Sequence, residues 1–147
     1  AFQADAVASM TNTIRQVARD IAQRPDDART IALKAGTVLL QAPTGTGKTL
    51  MLGRALEAAT GTLPQPMVWL WFAPFAGLVA QTRDALSAQC AGLRLRDLST
   101  DREAMTTRDG DVFVQTWASV ATNVKDARKI RSESESVKSL DTMLEIL

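Results

Sequence analysis

Apolar residues recur at steps of three and four along the start of the chain: Phe2, Ala6, Val7, Met10, Ile14, Val17 and Ile21, with Arg15, Arg19 and Asp20 off that stripe. This period predicts a long amphipathic helix, stopped by Pro25. Asp26-Asp27 predicts a cap for a short second helical turn through Leu33, and Gly36 breaks the chain after it. The pattern then changes. Thr37-Val38-Leu39-Leu40 is a continuous β-prone run of the kind buried on both faces of a parallel sheet. Met51, Leu52, Ala55, Leu56 and Ala59 return to helical spacing, and Gly61 stands where a helix commonly stops.

The same alternation repeats downstream. Pro64-Gln65-Pro66 punctuates the chain, and Met67 to Phe72 is an unbroken apolar run that predicts a second buried strand. Within it, Trp69 and Trp71 read as core and not as a base-stacking platform. A break at Ala73 to Gly77 leads into Leu78, Val79, Thr82, Leu86 and Gln89 at helical spacing. Leu93 to Arg96 alternates as a half-exposed strand does. Thr100-Asp101-Arg102-Glu103 matches a capping box. Asp109-Gly110 predicts a turn into a third strand, Val112 to Thr116, and Trp117 to Val120 begins a helix. Repeated β–α units imply an α/β fold with a parallel sheet and right-handed crossovers.

Four segments follow from this reading: a leading helix over 1–24, a β/α core over 37–122, a mobile charged surface linker over 123–136 that includes Ser132 to Ser136, and a terminal helix over 137–147. Val137, Leu140, Met143, Leu144 and Leu147 form an apolar face that reaches the last residue without a stop signal. The expectation is an incomplete domain whose parent continues into a strand.

Between the first strand run and its helix lies Gln41-Ala42-Pro43-Thr44-Gly45-Thr46-Gly47-Lys48-Thr49. Glycines at 45 and 47 let the backbone turn tightly and aim amide N–H groups inward, and the helix N-terminus adds partial positive charge. Thr44 to Thr49 therefore read as a phosphate-binding loop for ATP. Lys48 would reach the β- and γ-phosphates and the Thr49 hydroxyl would ligate Mg²⁺, which makes Lys48 and Thr49 the candidate catalytic groups. The usual pattern opens with Gly where this chain has Ala42.

Composition removes several alternatives. At 147 residues, 46% of them hydrophobic and 22% charged, the chain suits one globular domain. A formal net charge of +1 neither implies nor excludes nucleic acid as a partner. One cysteine and no histidine exclude an internal disulfide framework and a zinc constellation, with a reducing, cytoplasmic setting as the default. The longest apolar stretch, Met67 to Ala80, is too short for a membrane span and is interrupted by Pro74 and Gly77.

Taken together, the order of motifs resembles the first RecA-like domain of superfamily 2 helicases and translocases, most closely the ATPase motor subunits of type III and type I restriction enzymes. Ala42 to Thr49 looks like that family's motif I. Phe72-Ala73-Pro74 with Leu78-Val79-Ala80-Gln81-Thr82 is similar to motif Ia, and Val112 to Val120 resembles the later strand-to-helix motif whose Thr contacts a phosphate. The resemblance implies backbone contacts to DNA near Pro74, Gln81, Thr82 and Thr116. Many members carry Thr-Arg in motif Ia where this chain has Phe75-Ala76-Gly77, so main-chain contact is what carries over there. Phe2-Gln3 with Asp5-Ala6-Val7 looks like the Phe-Gln helix whose Gln approaches adenine. On its own surroundings Gln3 reads only as a solvated helix residue. The resemblance further implies a second RecA-like domain, methyltransferase or specificity subunits as partners, and an Asp-Glu pair after an apolar strand. Asp101, Glu103, Asp109 and Asp111 sit near caps and turns and do not match that pair.

The functional expectation is the ATP-binding part of an ATP-dependent DNA helicase or translocase, the motor of a restriction enzyme. The alternative is a phosphate-loop ATPase that switches or remodels proteins without a nucleic-acid track.

Overall fold

Residues 2–97 and 106–120 are described by the computed structural model. Helix α1 spans Phe2–Gln23 and a 3₁₀ turn Pro25–Asp27 leads into α2, Ala28–Ala35. After the phosphate loop come α3 (Lys48–Ala59), β1 (Trp69–Ala73), α4 (Ala76–Gln89), β2 (Arg94–Arg96), β3 (Asp111–Thr116) and α5 (Trp117–Val120). The strands form one parallel sheet in the order β1-β3-β2, as expected of part of a RecA-like domain. Register runs from Trp69 opposite Val112 to Ala73 opposite Thr116, and from Arg94 opposite Asp111 to Arg96 opposite Phe113.

That register is set before the strands begin. The Met67 amide donates to Asp109 Oδ1 at 2.9 Å, and the Gly110 amide donates to the Met67 carbonyl at 2.8 Å. Gly110 has φ +82°, and a Cβ there would lie 2.3 Å from Thr60 Cγ2. Backbone conformation and close approach both demand glycine at this turn.

Two apolar clusters hold the helices. Leu56 of α3, Leu86 and Cys90 from α4 and its end, Leu93, Val112 and Val114 form the first, with Trp69 and Trp71 packed against it. Both tryptophans are half-buried core residues, as their strand context predicts. Met10, Met51 and Ala55 form the second, between α1 and α3. Cys90 is a small buried filler whose thiol is pushed up first by burial and then by the Glu57 charge.

Two expectations are corrected. Thr37 to Leu40 is not a buried strand: the segment has no assigned strand structure, and Val38 and Leu39 are 47% and 87% exposed. A parallel strand exists through its neighbours' hydrogen bonds, and among the described residues none of the three strands pairs with this run. The second helix forms, but Asp27 at its N-cap makes no side-chain capping bond. The capping box at Thr100, the 123–136 linker and the 137–147 helix lie outside the described residues.

Asp111 plays a part that its position at a turn concealed. It is fully buried at the start of β3, where Arg94 Nε donates to Oδ1 at 2.5 Å, Arg94 Nη2 donates to Oδ2, and the Arg108 amide donates to Oδ2 at 3.0 Å. Arg96 stands 3.5 Å away. Arg94 and Arg96 also donate to the Thr106 carbonyl, which ties β2 to the residues that lead into β3. Burial pushes the Asp111 carboxyl up, but the Arg94 hydrogen bonds, the Arg108 amide and the charges of Arg94 and Arg96 outweigh it, so the net shift is downward from 3.8. A carboxylate with a depressed folded-state pKa contributes stability above its unfolded pKa and loses it as pH falls through the folded value. Wild-type stability is therefore expected to decline as pH falls below about 4, with Asp111→Asn showing a flatter profile there. At pH 7 Asp111→Ala should cost roughly 2–4 kcal/mol, because it removes the buried charge that faces two partly solvated guanidinium groups. Urea unfolding across a pH series checks both, and equal acid sensitivity of wild type and Asp111→Asn would exclude this role.

Candidate functional site

The loop read from the sequence as phosphate-binding, here called the phosphate loop, is the turn between Leu40 and α3. Gly45 and Gly47 both have φ +82°, the left-handed conformation that glycine alone adopts freely. Thr46 closes the turn, its amide and hydroxyl both donating to the Pro43 carbonyl at 3.4 and 2.7 Å. The first helical bond of α3 runs from the Met51 amide to the Gly47 carbonyl, so the amides of Lys48, Thr49 and Leu50 precede the i→i−4 ladder. The helix thereby offers N–H donors and its positive dipole end at Lys48 and Thr49.

Lys48 folds back over its own loop. Its Nζ donates to the Ala42 carbonyl at 2.7 Å and the Pro43 carbonyl at 2.8 Å. The ammonium is thus held by two neutral acceptors beside the turn. Lys48 belongs to neither apolar cluster, and both partners are backbone atoms of the same loop.

Gln3 reaches the loop from the other side. Its Nε2 donates to the Thr46 carbonyl at 2.9 Å, and a Cβ on Gly47 would sit 3.4 Å from that nitrogen. Sequence surroundings gave no cause for this contact. The fold brings it about by packing α1 along α3 through Met10, Met51 and Ala55, which lays the first turn of α1 beside the glycines. Arg15, off the apolar stripe, also has a structural role. It donates to the Ala58 carbonyl at 2.8 Å and to Thr62 Oγ1 at 3.0 Å, closing the C-terminal end of α3.

Facing the loop is a cleft of about 550 Å³, whose walls are Thr44, Gly45, Gly47, Lys48 and Thr49 on one side and Leu78, Gln81 and Thr82 of α4 on the other. This volume suits a small-molecule ligand. Loop glycines, helix amides, an exchangeable ammonium and a threonine hydroxyl form a donor set that fits a magnesium–polyphosphate. Thr44 to Thr49 would hold the phosphates, and the Thr49 hydroxyl would meet the metal. Among the described residues, no Asp or Glu lines this cleft.

The four residues considered for nucleic acid divide between two places. Gln81 and Thr82 line the phosphate-loop cleft, Gln81 exposed and Thr82 only 7% exposed. Pro74 and Thr116 stand instead at the carboxyl ends of the paired strands, Pro74 just beyond Ala73, which is opposite Thr116. Thr116 caps α5: its Oγ1 accepts from the Ser119 amide at 3.3 Å, and its carbonyl accepts from Ser119 Oγ at 2.7 Å. The Thr116 hydroxyl keeps its own proton to donate. Beside it, Trp117 is 59% exposed, a residue whose place at the start of a helix gave no sign of solvent exposure.

No helix among the described residues is long and apolar enough to cross a membrane. No curated protein and no solved structure matches the chain. The family model of the type III restriction enzyme res subunit matches residues 1–141, nearly the whole sequence and all of the phosphate-loop cleft. The chain therefore belongs to the type III restriction enzyme res subunit family, as a helicase-like domain of superfamily 2.

Proposed function

We propose that this domain is the ATP-binding part of a DNA translocase or helicase that drives a restriction enzyme. The observation that carries the reading is the shared cleft: α3 brings the phosphate loop to one wall and α4 brings Gln81 and Thr82 to the other. Closure on nucleotide would pull on α4, which begins immediately after β1 at the strand ends. A parallel sheet offers its ligand crevice at those ends, and there Pro74 and Thr116 are proposed to meet the DNA backbone.

ATP with Mg²⁺, when bound, supplies the phosphoryl group whose transfer to water releases the energy of movement. The chain's own contribution is electrostatic and positional. Lys48 would exchange the Ala42 and Pro43 carbonyls for phosphate oxygens. The amides of Lys48 and Thr49 would orient the phosphates, and Thr49 would meet the metal through its hydroxyl. Gln3, tethered to the loop at Thr46, is proposed to sit beside the adenine. A carboxylate that orients the attacking water has to come from outside the described residues, since none of these brings one to the cleft. An Asp-Glu pair after a further strand, a second RecA-like domain that closes the site, and methyltransferase or specificity subunits complete the proposed assembly.

Lys48→Ala is expected to lower ATP turnover of the intact protein at least about 100-fold. Its circular dichroism spectrum should match wild type, because the lost hydrogen bonds are local to the loop. Near-wild-type turnover would remove Lys48 from the site. The isolated 147-residue chain should hydrolyse essentially no ATP in a steady-state assay, since the proposed site needs the Asp-Glu pair and the second RecA-like domain to be complete; brisk turnover would show that the chain supplies the carboxylate itself.

DNA should raise ATP turnover of the intact protein. Its affinity for DNA should fall steeply between low and moderate salt while varying little with base sequence at the motor, as backbone contacts dictate. No stimulation by any single- or double-stranded DNA would favour a nucleotide switch that acts on proteins.

A further inference from the structure

Beyond the ends of β1 and β3 the chain exposes large apolar side chains side by side in the topology. Phe75 follows Ala73 by two residues and is 69% exposed; Trp117 follows Thr116 by one and is 59% exposed. Trp117 is nevertheless held in place. Phe72 packs against it with ring centroids 5.3 Å apart and planes at 87°, an edge-to-face contact. The paired bonds between Thr116 and Ser119 fix the turn of helix on which the indole stands. A tryptophan oriented on one side by another ring and left open to solvent on much of its surface has the form of a stacking platform.

We propose that Trp117, with Phe75 on the neighbouring strand end, stacks unpaired bases of single-stranded DNA. The inference rests on the DNA reading above and deepens it, adding a contact to the base where that reading has contacts only to the backbone. Thr116 is proposed to meet a phosphate, and the aromatic ring is the next residue in the chain, so one short turn offers partners to both parts of a nucleotide. Neither ring carries an acceptor or a charge, and every base has a π-face, so the contact tolerates any sequence. It also requires an unstacked base, because a duplex keeps its base faces covered. The platform therefore selects single strands, or the opened part of a duplex. Trp69 and Trp71 cannot share this role, since both lie in β1, half-buried against the core.

The test uses fluorescence anisotropy of the intact protein with labelled oligothymidylate and with a strand of the same length that carries abasic sites throughout. Wild type should bind oligothymidylate about tenfold or more tightly than the abasic strand. Trp117→Ala should bring oligothymidylate affinity down towards the abasic value and leave abasic binding unchanged, whereas Trp117→Phe should keep most of the difference. Phe75→Ala, at a position exposed enough to leave folding intact, should give a smaller loss of the same kind. Equal losses on both strands, or no loss on either, would overturn the platform. In the second case, protection of Trp117 from acrylamide in the DNA-free protein would identify a protein segment as the occupant. If wild-type protein binds neither these strands nor duplex DNA, the DNA reading itself fails, and the platform with it. Wild-type binding that makes no distinction between the two strands overturns the platform alone.

Discussion

Everything at the site depends on α3 being packed from two sides at once. Met51 and Ala55 face α1, while Leu56 faces α4 and the sheet, and all three are 8% exposed or less. Each large apolar side chain buried in this way stabilises the packed state by about 1.5–3 kcal/mol. The two faces also fix the helix's direction, and so the place where Lys48 and Thr49 project. At Gly53 the approach of α4 is so close that a Cβ would lie 2.3 Å from Leu86 Cδ2 and 3.0 Å from Cys90 Sγ. A larger residue there would push α3 from α4, the two helices that wall the phosphate-loop cleft. The loop itself is held lightly, by Gln3 and by Thr46 on Pro43, with most of these bonds exposed. A soft loop therefore sits at the end of a firmly held helix.

Much of this was legible in the sequence, and the misses have physical causes. Periodicity located α1, α3 and α4, because each buries a stripe whose spacing is set by the helix itself, whatever the partner it packs on. A candidate phosphate loop could be read because such chemistry needs particular residues at fixed spacing, and the two glycines it needs do take left-handed conformations. Thr37 to Leu40 failed as a strand because β structure belongs to a pair of chains, and composition reports only one of them. Asp111 failed in the opposite sense. A lone acid beside a turn reads as solvated, and only the parallel register that sets Arg94 opposite it turns the position into a buried ion cluster. Gln3 was correctly placed on the first turn of a helix, but its hydrogen bond to the loop follows from helix packing 43 residues away in sequence. Trp117 gave no signal at all, because an aromatic residue next to a β-run is indistinguishable from core until the end of the strand is known.

The two ends of the sheet hold their polar groups differently, and that difference separates framework from site. At the amino end, the buried Asp111 carboxylate is committed to two arginines and an amide. Rearranging it would leave charge in a desolvated place, so it can only hold.

At the phosphate loop, the commitments can be exchanged. Lys48 is bound to two neutral carbonyls, one of them at an exposed contact, whereas an ionised oxygen would add Coulomb attraction to the same kind of hydrogen bond. If the loop takes a phosphate as proposed, moving the ammonium to it from the carbonyls would be favourable, while the carbonyl of Pro43 keeps its bonds from Thr46. On that reading Ala42 and Pro43 would act as a rest position for the cation, satisfying it until a ligand takes it. The same logic extends to α3: its first amides have no helical acceptor to surrender, so a phosphate gains them at no structural cost. On the proposed reading, binding energy at this loop would be spent on drawing α4 towards α3, the movement the proposed motor would need.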